Sequence, residues 1–169
     1  MKLHHIKFQK ILAVLLAILA LVGGLFGLCR AVASARAYDI APLTDERLAE
    51  LDLTGITHLM IVAHPDDETL WGGAHIADGG YLVVCITNGY NATRSAEFQA
   101  VMQASNNVGL ILSYPDKVAG KRDDWTHVRS QIQTDLEKVM TYQPWEDIVT
   151  HNAKGEYGHI HHKMTHQIV

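Results

Sequence analysis

The sequence contains very little cysteine, with two residues in 169. Cys29 lies in a long apolar run near the N-terminus, and Cys85 lies in an apolar stretch typical of a buried strand. We therefore predict neither a disulfide framework nor a metal site built on thiolates. Cys85 is expected to be a small core residue.

A strong excess of charge is also missing. The formal net charge is −4, and no block of like charge occurs along the chain. This pattern argues against a basic nucleic-acid-binding surface, so we predict no nucleic-acid partner. No internal repeats or low-complexity stretches follow residue 37, and the length allows one domain.

The chain does contain a long apolar segment near its N-terminus. Residues 11–29 carry no charge and follow Lys2, Lys7 and Lys10. As a helix, this run would be roughly 28 Å long, enough to cross the hydrocarbon core of a bilayer. It is either a transmembrane anchor or a signal peptide cleaved near the small residues at 33–37. Its length favours the anchor, because apolar cores of signal peptides usually run about 7–15 residues.

We accordingly divide the chain into an anchor or signal segment with a short stalk, residues 1–37, and a domain, residues 38–169. The N-terminal side of the apolar run carries more basic residues and is expected to stay cytoplasmic, which places the domain outside the membrane. Cleavage of a signal peptide would instead predict a secreted domain.

Strand and helix patterns alternate through the domain. Four short apolar runs typical of buried strands cover residues 58–63, 81–87, 110–112 and 147–152. Helices are predicted at 94–109 and 126–143, after a short lead-in helix capped by Thr44. This alternation predicts a Rossmann-like, three-layer α/β fold with a mostly parallel sheet.

Polar side chains follow three of these strands where each strand ends. His64 to Asp67 follow the first strand, Asn88 follows the second, and His151 ends the fourth. Ligands of open parallel sheets bind beyond the carboxyl ends of the strands, so we expect these residues on one rim. The chain also places five of its eleven histidines in its last nineteen residues.

These residue types suggest a metal site. Pro65 helps the chain leave the sheet, and in the resulting turn His64 and Asp67 can point to one centre. His159 and His162, spaced i and i+3, offer a third ligand from one helix face. Two histidines, one carboxylate and open positions are typical of catalytic zinc, whose bound water is then the nucleophile. Asp66 reaches past the centre and can take the proton of that water.

Two other interpretations stay open. His64-x-Asp66 with a distal histidine also has the spacing of a facial triad, which would make the protein an Fe²⁺-dependent non-haem oxygenase. The alternation of helices and strands argues against this, since those enzymes usually have all-β barrels. A non-catalytic sugar-binding or scaffold protein with a degenerate site is the other alternative. We expect His161 and His166 to be bystanders.

Three motifs taken together resemble the PIG-L/LmbE-like zinc de-N-acetylases. They are AHPDDE at 63–68, TNG at 87–89 and GEYGHxxH at 155–162. The resemblance covers residues 58–169. It implies a hydrolase that removes the acetyl group from an N-acetylglucosamine-containing glycoconjugate.

The resemblance also implies a role for each matching residue. Zinc would be held by His64, Asp67 and His162, and Asp66 would be the general base. His159 would stabilise the oxyanion or protonate the leaving amine.

Three further residues would act on the substrate. Tyr157 would assist the tetrahedral intermediate, and Arg94 and Asn88 would bind the sugar.

The sequence departs from the family pattern at several points. The family usually has Pro and Asp where this chain has Ile160 and His161, and an acid is frequent at the position of Tyr90. Family members also continue beyond the position of Val169 with a further helix and strands. The fold is therefore expected to be truncated, as a fragment or as a short member that needs a partner.

Overall fold

The computed structural model describes residues 2–169, with side chains described for residue 10 and residues 12–169. It has two compact units, of which the first ends at Ala37 and the second spans Tyr38–Val169. The first unit is one helix, α1 (Lys2–Ala37), whose part Leu12–Ala37 is long and apolar enough to cross a membrane. A signal sequence has the same properties. The predicted orientation rests in part on Lys2 and Lys7, whose side chains lie outside the described residues.

The second unit alternates strands and helices. In chain order its elements are α2 (Asp45–Ala49), β1 (His58–Val62), α3 (Asp67–Leu70), α4 (Gly73–Ile76), β2 (Tyr81–Thr87), α5 (Ala92–Ala104), β3 (Val108–Tyr114), β4 (Lys117–Val118), β5 (Lys121–Arg122), α6 (Arg129–Met140), β6 (Asp147–Thr150) and α7 (Ile160–Ile168). Thr44 caps α2 as predicted, since its Oγ1 accepts a hydrogen bond from the Arg47 amide at 3.2 Å.

The predicted parallel sheet is confirmed. Its four strands are ordered β3-β2-β1-β6, and each neighbouring pair is parallel. The chain moves outwards from β1 to β3 and then crosses back to place β6 on the other side of β1. The loops that follow β1 and β6 therefore lead to opposite faces of the sheet. Such a reversal opens a crevice at the carboxyl ends of the strands, where open α/β sheets bind ligands.

Apolar cores cover both faces of the sheet. Alternate residues of a strand point to opposite faces, so Leu59 and Ile61 join one core while Met60 and Val62 join the other. The first core includes Ile132, Leu136 and Val139 of α6, and the second includes Phe98 and Met102 of α5. The domain is therefore three-layered, with helices on both faces of the sheet.

The structure shifts several predicted boundaries by a few residues, most of all the end of α5. The helix predicted over 94–109 ends at Ala104, and residues 108 and 109 already belong to β3. Asn106 adopts a left-handed φ of 54°, which an asparagine tolerates and a continuing helix does not. Val108 then pairs with Leu82 in the sheet. The two-residue strands β4 and β5 were not predicted, because they are too short to show a pattern.

A buried hydrogen-bond pair connects β3 to α6. Asp135 is 2% exposed and accepts hydrogen bonds from the Leu43 amide at 3.1 Å and from the Tyr114 hydroxyl at 2.6 Å. Burial and this bond to a carboxylate raise the pKa of Tyr114 well above its usual value. The phenol therefore keeps its proton in the folded domain.

We expect the free energy of unfolding to fall as pH rises above about 10. Above that pH, Tyr114 loses its proton in the unfolded chain but keeps it in the folded domain. The stabilisation is thus complete below pH ~10 and is lost above it. Denaturant unfolding between pH 8 and 11 should show a shallower alkaline loss for Tyr114→Phe than for wild type. The exposed Tyr142→Phe should behave like wild type, and equal slopes for Tyr114→Phe and wild type would contradict the assignment.

Candidate active site

The turn after β1 separates two neighbouring acids. Asp66 has a φ of 123°, a rare conformation for a residue with a side chain, and its amide donates to Glu68 Oε2 at 2.9 Å. Asp67 begins α3. The side chain of Asp66 is 54% exposed, whereas that of Asp67 is 4% exposed. One carboxylate therefore faces solvent and the other is buried beneath it.

The three predicted metal ligands converge on one point. Asp67 Oδ2 lies 3.1 Å from His64 Nδ1, and Asp67 Oδ1 lies 3.2 Å from His162 Nε2. One ligand atom from each residue lies within 4.8 Å of the other two. Nitrogen and oxygen donors bind zinc at about 2.0–2.2 Å, so one ion can contact all three.

The position of the proton on His162 indicates what kind of species fits between His162 and Asp67. His162 Nδ1 lies 2.6 Å from the Glu156 carboxylate, which only accepts hydrogen bonds, so Nδ1 carries the proton. In the neutral imidazole, Nε2 then has a lone pair. Within the part of the chain that the structure describes, this atom is fully buried without a hydrogen-bond partner, and the nearby Asp67 oxygen is also an acceptor. A cation between the two acceptors would remove the electrostatic conflict, so these residues fit a metal ion.

Glu156 is a supporting residue that the sequence prediction missed. It accepts from His162 Nδ1 and, at 3.1 Å, from His151 Nδ1, and it also binds the Asn152 amide. His151 Nε2 accepts from the Ala63 amide at 3.1 Å, so His151 stays within this network. Carboxylates in this position orient histidine ligands. The sequence feature that could have identified it is its position in the motif GEYGHxxH, two residues before Gly158.

A glycine allows the loop before α7 to close. Gly155 has a φ of +67°, and a Cβ atom there would lie 2.7 Å from the His159 carbonyl oxygen. Glu156 follows with a φ of 53°. This turn brings the Glu156 carboxylate back towards the first turn of α7, where it meets His162.

His161 is not the bystander that we predicted. It is fully buried, and its Nδ1 lies 3.0 Å from His64 Nε2 while its Nε2 lies 2.7 Å from the Asp123 carbonyl oxygen. Its ring stacks on Trp125 at a centroid distance of 4.1 Å and an angle of 8°. Burial lowers the pKa of His161 to about 3, so the ring is neutral near pH 7. His166 donates to the His151 carbonyl and reaches none of the metal-facing atoms.

His159 precedes α7 and faces the cleft above the metal-facing atoms. It is the N-cap of α7, and its Nδ1 accepts from the His161 amide at 3.2 Å. Its ring lies 4.7 Å from that of His64 between centroids. Burial, followed by the neighbouring His64 and His162 rings, lowers the pKa of His159 to about 4.

The predicted site residues share one cleft of about 400 Å³, except for His162, which lies buried beneath it against Asp67. The predicted residues that line the cleft are His64, Asp66, Asp67, Asn88, Arg94, Tyr157 and His159. The structure adds residues that were not predicted, namely Leu70, Trp71, Asn91, Asp116 and Arg122. Trp71 and Tyr157 are 49% and 69% exposed, and their ring centroids are 6.0 Å apart.

Arg94 contacts the turn after β1. Its Nη2 donates to Asp66 Oδ2 at 3.0 Å and to the Pro65 carbonyl, and its Nη1 pairs with Glu97. The guanidinium therefore holds the exposed carboxylate at the edge of the cleft. The iron-oxygenase alternative required Asp66 and His64 as co-ligands, but the structure pairs His64 with Asp67 instead.

A known protein family and a known protein match the sequence of this chain. A family model described as PIG-L, GlcNAc-PI de-N-acetylase, matches residues 59–169. The chain belongs to the PIG-L family. It is also 30% identical over 128 residues to the uncharacterised protein L374 of Acanthamoeba polyphaga mimivirus, covering 66% of this chain. The chain spans 55% of the length of that viral relative.

The family match covers residues 59–169, and its description names a de-N-acetylase activity. The matched region contains the turn after β1, the Glu156 network and α7. Among the described residues, every group that could hold a metal ion lies inside the part of the chain that the family model matches.

Proposed function

We propose that the protein is a membrane-anchored, zinc-dependent de-N-acetylase that acts on an N-acetylglucosamine-containing glycoconjugate. The observation that carries the proposal is the buried His162 Nε2, which has no hydrogen-bond partner among the described residues and faces Asp67 Oδ1 at 3.2 Å. Two hydrogen-bond acceptors that face each other in a buried site repel one another, and a cation between them would remove this repulsion. The family match supplies the reaction class.

Zinc fits the donor set better than a hard cation does. Two imidazoles and one carboxylate, with open coordination positions, are typical of catalytic zinc. When bound, the ion would polarise the acetamide carbonyl and lower the pKa of its water towards 7. His64, Asp67 and His162 would hold it, and Glu156 would keep His162 oriented.

Asp66 is the proposed general base. Its turn leaves its side chain half-exposed at the cleft, next to the buried Asp67 but outside the group of three ligands. The Arg94 contact uses one carboxylate oxygen, Oδ2, and limits the rotation of the side chain. A carboxylate held in this place can take a proton from the attacking water as the C–O bond forms, and the resulting acid can pass it to the amine nitrogen as the C–N bond breaks and acetate is released.

His159 is the proposed hydrogen-bond donor to the oxyanion. Its Nδ1 accepts from the His161 amide, so the neutral ring carries its proton on Nε2. Since His159 lines the cleft, that N–H is available to the substrate oxygen. Tyr157, exposed beside it, is the proposed second donor.

The cleft has properties of a sugar site. Its volume of about 400 Å³ falls in the range of small-ligand sites, and amide and guanidinium groups from Asn88 and Arg94 line it. The exposed rings of Trp71 and Tyr157 provide apolar surface beside these polar groups. We assign the acetamido sugar to this cleft. Helix α1 is the proposed anchor, with the domain outside the membrane.

The full chain, purified in detergent, should release acetate from N-acetylglucosamine glycosides after removal of metal and reloading with zinc. Bound zinc measured by elemental analysis should approach one ion per chain, and a chelator should abolish the release. Folded protein that binds no zinc and releases no acetate would support the scaffold alternative. Turnover that requires iron and oxygen would support the oxygenase alternative.

A further inference from the structure

We infer that His161 is a positioning residue that holds His64 in the tautomer whose Nδ1 faces the metal site. The inference builds on the proposed metal site, but it concerns the chain's own hydrogen bonds. It assigns a role to a residue at which the sequence departs from the family pattern.

The positions of the ring protons on His161 and His64 follow from the Asp123 carbonyl group, which ends this chain of hydrogen bonds. His161 Nε2 lies 2.7 Å from the Asp123 carbonyl oxygen, which can only accept, so His161 carries its proton on Nε2. Its Nδ1 then has a lone pair and must be the acceptor in the 3.0 Å contact with His64 Nε2. His64 therefore carries its proton on Nε2, and its Nδ1 has the lone pair that faces Asp67.

Asp123, at the end of this hydrogen-bond series farthest from His64, is itself held by two hydrogen bonds. The Asp123 amide donates to the Asp116 carbonyl at 3.0 Å, and Asp123 Oδ1 accepts from the Trp125 amide at 2.7 Å. Trp125 is fully buried and stacks on the His161 ring. The carbonyl therefore has a fixed position, and the order of donors and acceptors from Asp123 to His64 cannot reverse without loss of a bond.

The opposite tautomer of His64 would be unfavourable for metal binding. With the proton on Nδ1, the ring would donate directly to Asp67 Oδ2, and the proton would occupy the place of the ion. His161 prevents this by accepting the Nε2 proton. His162 is held in the same way by Glu156, so each histidine ligand has its own partner.

Two amide substitutions at position 161 separate this role from simple packing. In His161→Asn, the side-chain oxygen can replace Nδ1 as the acceptor for His64. In His161→Gln, the side-chain amide can replace Nε2 as the donor to Asp123 but offers no acceptor at the Nδ1 position. We expect His161→Gln to weaken zinc binding by about 10–100-fold, and His161→Asn to stay near wild type.

Zinc affinity is measured by competition with a chromophoric chelator, using the full chain in detergent. Nitrogen-15 NMR of the histidine rings in metal-free protein reports the His64 tautomer directly. The proton should be on Nε2 in wild type and His161→Asn, and should shift towards Nδ1 in His161→Gln. The exposed His75→Gln is the matched control and should leave both readouts unchanged.

Asp116 offers an alternative acceptor, because its Oδ1 lies 3.4 Å from His64 Nε2. The double variant His161→Gln, Asp116→Ala removes both acceptors, so it should lose at least as much zinc affinity as His161→Gln alone. Wild-type affinity in the double variant would overturn the proposal. Equal losses in His161→Gln and His161→Asn would also overturn it, because they would show a packing role. Neither readout uses acetate release, so the proposal can fail while the proposed reaction holds.

Discussion

Replacing Asp66 with asparagine should lower the rate of acetate release by about 10²–10⁴-fold while bound zinc stays unchanged. The amide has nearly the same shape and can still accept from Arg94, but it cannot take a proton from water. Asparagine branches in the same way as aspartate, so the unusual φ of 123° should cost the variant no more than it costs the wild type. Loss of activity with unchanged zinc content would identify Asp66 as a base rather than as a metal ligand.

The measurement pairs kcat for acetate release with elemental analysis of the same sample. Asp124→Asn is a suitable control, because Asp124 is an exposed acid that accepts from the Thr126 amide outside the cleft. Retained turnover in Asp66→Asn would refute the assignment of the base. Loss of zinc along with activity would instead make Asp66 a ligand.

Replacing Asp67 with asparagine should remove the metal. The two oxygens of Asp67 face His64 Nδ1 and His162 Nε2 at 3.1 and 3.2 Å. The amide has one oxygen, which can still accept from the His64 amide, and an NH₂ group that can donate to His162 Nε2. This donation would satisfy the buried nitrogen without a cation, so we expect zinc affinity to fall by more than about 100-fold.

Thermal unfolding with chelator and with zinc tests this expectation. Zinc should raise the Tm of wild type, because a ligand that binds only the folded state stabilises it. Asp67→Asn should gain nothing from zinc, and its Tm in chelator should equal or exceed that of wild type. A zinc-dependent rise in Tm as large as that of wild type would place the metal elsewhere. Asp124→Asn again provides the matched control.

Secondary structure was largely predictable because its determinants are local. The run at 58–63 was predicted as a strand covered on both faces, and residues 58–62 form β1 between the two cores. The helix end near 104 was less predictable. Residues 108 and 109 continue an apolar pattern, and only their pairing with β2 makes them part of a strand.

The local sequence pattern was enough to show that a histidine and two acids follow a buried strand, and that a second group of histidines lies near residue 162. The tertiary structure decided which of them meet. Placement of β6 beside β1 brings residues almost 100 positions apart into contact at the switch point of the sheet. The sequence could not assign roles to Glu156 and His161, because these depend on which nitrogen of each ring carries a proton. That proton position is set by acceptors from other segments, a carboxylate for His162 and, through His161, the Asp123 carbonyl for His64.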